Sequence, residues 1–91
     1  MEISSISELK VGDKIHVVGH KINFRDYKGT FYVQEINNGY NDIPYAVIGR
    51  SKKTHWRSCQ RLDLTRSGFQ VMSFSSSKIR KSAIGCFVEV I

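Results

Sequence analysis

The sequence predicts an all-β protein of five to six antiparallel strands, closed as a small barrel or stacked as a sandwich, entered through a short N-terminal helical turn. Two observations carry this: six short runs rich in β-branched and aromatic residues recur at near-regular spacing, and clusters of Gly, Asn, Asp and Ser separate them. No repeat, linker or low-complexity tract divides the 91 residues, so a single domain is expected, large enough to fold without staples around a modest core.

The first element is a helical turn. Ser5-Ile6-Ser7-Glu8 has the spacing of a capping box, in which hydroxyl and carboxylate satisfy backbone N–H groups at a helix start. Gly12 leaves room for little more than one turn, and Ile3, Ile6 and Leu9 are expected to cap one end of the fold. Val11-Gly12-Asp13 is a turn, because Gly tolerates positive φ and Asp can bond the backbone two residues on.

Ile15 to Val18 is the first strand of the body. Ile15 and Val17 share one face, and His16, Val18 and His20 the other. At ~3.3 Å per residue the two histidines stand about 13 Å apart, too far to share a metal ion. A polar loop with Asn23, Arg25, Asp26 and Lys28 runs to Gly29, and Thr30 to Ile36 follows as a half-buried strand in which Phe31 and Val33 alternate with Tyr32 and Gln34.

Asn37-Asn38-Gly39 predicts a tight hairpin turn, since Asn-Gly supplies two positive-φ positions. Pro44 cannot donate to a ladder and suits the start of the next strand, through Ile48. After a polar connection, 50–54, residues His55 to Leu64 predict a fourth strand with a bulge near Gln60. Its alternation puts Trp56, Ser58, Gln60, Leu62 and Leu64 on one side and Arg57, Cys59, Arg61 and Asp63 on the other. Phe69 to Phe74 is the fifth strand. A serine-rich basic loop containing Lys78, Arg80 and Lys81 follows, and a last strand alternates Ile84, Cys86, Val88 and Val90 with Gly85, Phe87 and Glu89.

The order of residues from Lys10 to Ile36 resembles the opening of SH3-like small barrels, and within them the KOW type found in transcription and ribosomal proteins. Gly12-Asp13-Lys14 ahead of Ile15 and Val17, the loop ending at Gly29, and then Val33 and Ile36 carry the resemblance. It implies a small SH3-like barrel and contact with RNA. The chain's size, basicity and lack of catalytic motifs also resemble the small accessory proteins of large phages.

The net charge of +6 is unevenly placed. Residues 1–49 hold five Lys/Arg and six Asp/Glu, residues 50–81 hold nine Lys/Arg against Asp63, and residues 82–91 add Glu89. Concentrated positive charge in a folded body points to an anionic partner, nucleic acid or an acidic protein surface. With no apolar leader and no run of ~20 apolar residues, a soluble cytoplasmic protein with no membrane partner and reduced thiols is expected, in the host cytoplasm if phage-encoded.

The candidate binding residues are Arg50, Lys52, Lys53, His55, Trp56, Arg57 and Arg61, flanked by Arg66 and by Lys78, Arg80 and Lys81. Cations replace the counterions of nucleic acid, DNA or RNA, while Trp56 and the tyrosines at 27, 32, 40 and 45 offer faces on which bases stack. Trp56 suits a core position equally well. Serine hydroxyls at 73, 75, 76 and 77 suit phosphate contact or simply a loop.

Catalysis and cofactors are not expected. There is no P-loop, no Cys-x-x-Cys or close Cys-His spacing for zinc, and no carboxylate pair for acid–base work. Cys59 and Cys86 lie outside any nucleophile motif, although His55 is at hand. Two functions remain: a nucleic-acid-binding module, or a module that binds or inhibits an acidic protein, as a monomer or, through an exposed edge strand, a weak dimer.

Overall fold

A computed structural model describes residues 1–19, 28–39, 43–73 and 79–91. Seven strands form one antiparallel sheet: β1 (Glu2–Ile3), β2 (Lys14–Val18), β3 (Lys28–Asn38), β4 (Pro44–Gly49), β5 (Gln60–Thr65), β6 (Gly68–Ser73) and β7 (Ile79–Val90). From β2 to β7 each strand pairs with the next, and β7 pairs back with β2. Six strands therefore close on themselves, an arrangement compatible with an SH3-like barrel, and β1 adds to β7 outside the ring.

Closure depends on β7 serving two neighbours in succession. Its first part pairs with β6, from Met72↔Ile79 to Phe69↔Cys86, and its last part pairs with β2, from Val18↔Phe87 to Ile15↔Val90. Within the β6 pairing the register slips twice, between Met72 and Gln70 and between Gln70 and Phe69; at the second slip Gly85 (φ 73°) is the extra residue, a bulge that bends the strand. Arg80 and Lys81 thus belong to a strand, whereas the sequence suggested a loop running to Lys81: the strand must be 12 residues long to reach both partners.

Alternation fills the barrel. Ile15, Val17, Phe31, Val33, Ala46, Ile48, Leu62, Val71, Cys86 and Val88 are buried, and Ile3, Ile6 and Leu9 join the same core at one end. The 3-10 turn Ile6–Glu8 is held by the Glu8 carboxylate, which accepts the N–H groups of Ser4 at 2.8 Å and Ser5 at 2.9 Å. Gly12 takes φ 97°, and its N–H donates to the Val33 carbonyl, tying the turn to β3.

Two further expectations are corrected. Residues 37–39 make no two-residue hairpin: β3 continues to Asn38, which pairs with Pro44, so 39–43 form the connection, of which 40–42 lie outside the described residues. Nor does a strand begin at His55. Trp56–Ser58 is a 3-10 turn, and β5 starts only at Gln60, opposite Ile48, so residues before it have no neighbour in the sheet. Among the described residues no helix is long and apolar enough to cross a membrane.

Candidate functional site

Strand direction decides which loops meet. The ends of β4 and β6 and the starts of β5 and β7 lie together, since Gln60 pairs with both Ile48 and Ser73, and Met72 pairs with Ile79. The connection 50–59 leaves β4 and enters β5 there, and Ile79 begins β7 at the same end. Gly39 and the β5–β6 turn lie at the far ends of β4, β5 and β6, whereas the start of β2 is staggered, Lys14 pairing with Tyr32, which pairs with Gly49.

Arg50, Lys52, Lys53, His55, Trp56 and Arg57 all stand on that one connection, and all are exposed. Among the described residues, no carboxylate lies within ion-pairing distance of its four cations. Glu35 and Asp63 lie in the halves of β3 and β5 away from that connection, while Glu2, Glu8, Asp13 and Glu89 stand on the N-terminal segment, ahead of β2 and near the end of β7.

The connection is held in shape by local bonds and by one side chain from β3. The register of β3 against β4 shifts between Val33 and Glu35, and Gln34 sits in that bulge. Its Nε2 donates to the Ser51 carbonyl at 3.0 Å, and its Oε1 accepts the Thr54 N–H at 3.2 Å. The Ser51 N–H donates to the Thr54 hydroxyl at 3.1 Å. Gly49 makes the approach possible, since a Cβ there would collide with Gln34 Nε2 and Thr54 Oγ1.

The second half of the connection folds on itself. The Nδ1 of His55 accepts the Arg57 N–H at 3.3 Å, the Ser58 N–H donates to the His55 carbonyl at 2.8 Å, and Cys59 Sγ donates to the Thr54 carbonyl at 3.5 Å. Arg50 turns over the end of the core, its guanidinium carbon 4.6 Å from the centroid of Phe31.

Trp56 is 52% exposed. Leaving about half of an indole in water forgoes roughly 2–3 kcal/mol of burial. The Arg57 guanidinium lies 5.4 Å from the centroid and the His55 ring 5.9 Å away, tilted by 31°. Beside this turn a cleft of about 190 Å³ runs from Arg57 and Cys59 to Met72 and Ser73 of β6.

The remaining predicted residues are placed differently. Arg61 projects from the barrel wall, where its Nε donates to both Asp63 oxygens at 3.0 Å and its guanidinium stacks on Tyr45 at 4.0 Å. It is neutralised and half-buried, not an open cation. Arg66 lies in the β5–β6 turn, the length of β5 away from the connection. Lys78 lies outside the described residues, and Arg80 and Lys81 are placed by backbone alone, in the first residues of β7. Tyr32 meets Lys14 at 5.9 Å, and Tyr27 and Tyr40 lie outside the described residues.

Both thiols are buried, and loss of solvent raises each above its ordinary value, Cys86 to about 11. Burial therefore disfavours the thiolate of both at neutral pH. Among the described residues no three His, Cys, Asp or Glu side chains gather as a metal site. No family model, curated protein or solved structure matches this chain.

Proposed function

We propose that this barrel is a non-catalytic module that docks on nucleic acid with the end formed by residues 50–59. The observation that carries the reading is the set Arg50, Lys52, Lys53 and Arg57, four exposed cations on one bonded connection with no carboxylate partner among the described residues. Such a set replaces condensed counterions along a phosphate backbone, and a loop already held in shape loses little freedom on binding. Arg80 and Lys81, at the start of β7, extend the same end. Gly12-Asp13-Lys14 leading into β2 supports placing the barrel near the KOW type of SH3-like domains, for which nucleic acid is a natural ligand.

Binding to a random DNA or RNA pool, followed through a salt series, tests this. Log K falls linearly with log salt if phosphates are neutralised, and binding is already measurable at ~50 mM salt. No shift of any pool under those conditions removes the reading. The same charges also fit an acidic protein surface, as a phage-type accessory factor acting on a host protein would use. A pull-down from nuclease-treated extract that keeps one stoichiometric acidic protein supports this second reading.

A further inference from the structure

We propose that the basic end is built for single-stranded nucleic acid, with Trp56 as the platform on which one unpaired base stacks. This rests on the nucleic-acid reading and names its ligand class. Three observations carry it. Trp56 is the only exposed large apolar side chain on the basic connection; the others among the described residues, Met1, Val11, Ile43, Leu64, Phe87 and Ile91, lie elsewhere on the barrel. The Arg57 guanidinium lies 5.4 Å from the Trp56 ring centroid and the His55 ring 5.9 Å away, tilted by 31°, which places a cation where a phosphate flanks a base stacked on the solvent-facing part of the indole. A cleft of about 190 Å³ opens at Arg57, the next residue, and continues to Met72 and Ser73.

A duplex cannot use these features. Its bases are stacked and paired inside, so an exposed indole meets only the backbone or the groove edges. Among the described residues the helices are three-residue turns, too short to enter a major groove. The barrel wall beside the connection carries the neutralised Arg61–Asp63 pair, so among the described side chains the open cations nearest Trp56 are those of the connection itself. An unpaired base has an accessible π-face, and a single strand can bend around a loop of ten residues.

The chain contains one tryptophan, so its emission reports Trp56 alone. The full chain is titrated at ~50 mM salt with oligothymidylate, with oligouridylate and with a mixed-sequence duplex, each of about twelve units, while anisotropy of labelled strands follows binding independently. The expected result is quenching by one or both single strands, an affinity for them at least tenfold above that for the duplex, and about a tenfold loss in Trp56→Ala that Trp56→Phe largely restores. The two single-stranded arms show whether the strand is DNA or RNA. Unchanged emission on binding, or a Trp56→Ala variant that holds the single strand as tightly as the parent, overturns the stacking proposal and leaves the phosphate reading intact. Absence of binding to all three probes overturns both.

Discussion

Gln34 and Thr54 stand twenty residues apart in sequence and 3.2 Å apart in space, the Gln34 side-chain carbonyl accepting the Thr54 N–H. The other end of the same amide donates to the Ser51 carbonyl, so one side chain closes the turn that carries Lys52 and Lys53. Gln34→Ala removes both bonds. We expect a loss of about 1–2 kcal/mol in urea unfolding and markedly faster hydrogen exchange at the Thr54 amide. Exchange unchanged at Thr54 would mean that the connection holds its shape without the clamp.

Gly49→Ala attacks the same clamp from beneath. The added methyl collides with Gln34 and Thr54, and one or both must retreat. The expected cost is about 1–3 kcal/mol, read as a lower urea midpoint with an unchanged slope. Combined with Gln34→Ala the two effects are less than additive, because the collision needs the glutamine in place.

The cations divide by position. Replacing Lys52, Lys53 and Arg57 one at a time by Ala makes the log K against log salt slope shallower by about 0.7–0.9 for each phosphate no longer neutralised. Arg66→Ala, at the far end, leaves slope and affinity unchanged. Equal effects from Arg66 and Lys53 would show that binding does not depend on which end of the barrel is presented.

Cys86 makes stability depend on alkaline pH. Burial raises its folded-state pKa to about 11 from an ordinary 9.0, so the unfolded chain releases this proton first. The sulfur's contribution is complete below about pH 9 and is lost as pH rises toward 11, by about 2–3 kcal/mol at ~1.4 kcal/mol per unit. Cys86→Ala starts less stable and has a flatter profile over that window. In the parent, neither cysteine reacts with a thiol reagent at pH 7 until the barrel opens; rapid labelling of Cys86 in the folded protein would contradict its burial.

Much of the barrel was legible in the chain because alternation is a local signal. Ile15 and Val17, Phe31 and Val33, and Cys86 and Val88 announce their inward face two residues at a time. The failures came where the deciding partner is distant. His55 to Cys59 alternates like a strand but lies beyond the reach of β4, and bonds from His55 and Thr54 fold it into a turn. The 37–39 segment offers a hairpin signal, yet β3 runs on to pair Asn38 with Pro44.

The site was legible to the extent that its charges are neighbours in sequence. Arg50 to Arg57 stay together because one connection holds them. Arg66 is only five residues beyond Arg61, but a strand separates it from that end, and Arg61 is occupied by Asp63 two residues along the same face. Gln34 gave no sign at all: a lone glutamine in a strand looks like any half-exposed residue until the bulge points it at Ser51.

The double pairing of β7 also sets the order in which the molecule can form. Hairpins from β2 to β6 join segments close in sequence and can assemble as soon as each is made, but the seam between Ile15 and Val90 must bring together residues 75 positions apart. A ring completed by its most distant pair carries the largest entropic barrier at its last step, which slows refolding relative to helical chains of similar size. Until β7 has been synthesised, the nascent barrel is an open ribbon with an apolar inner face and an unsatisfied edge on β2, and it is in that interval that it is most exposed to aggregation.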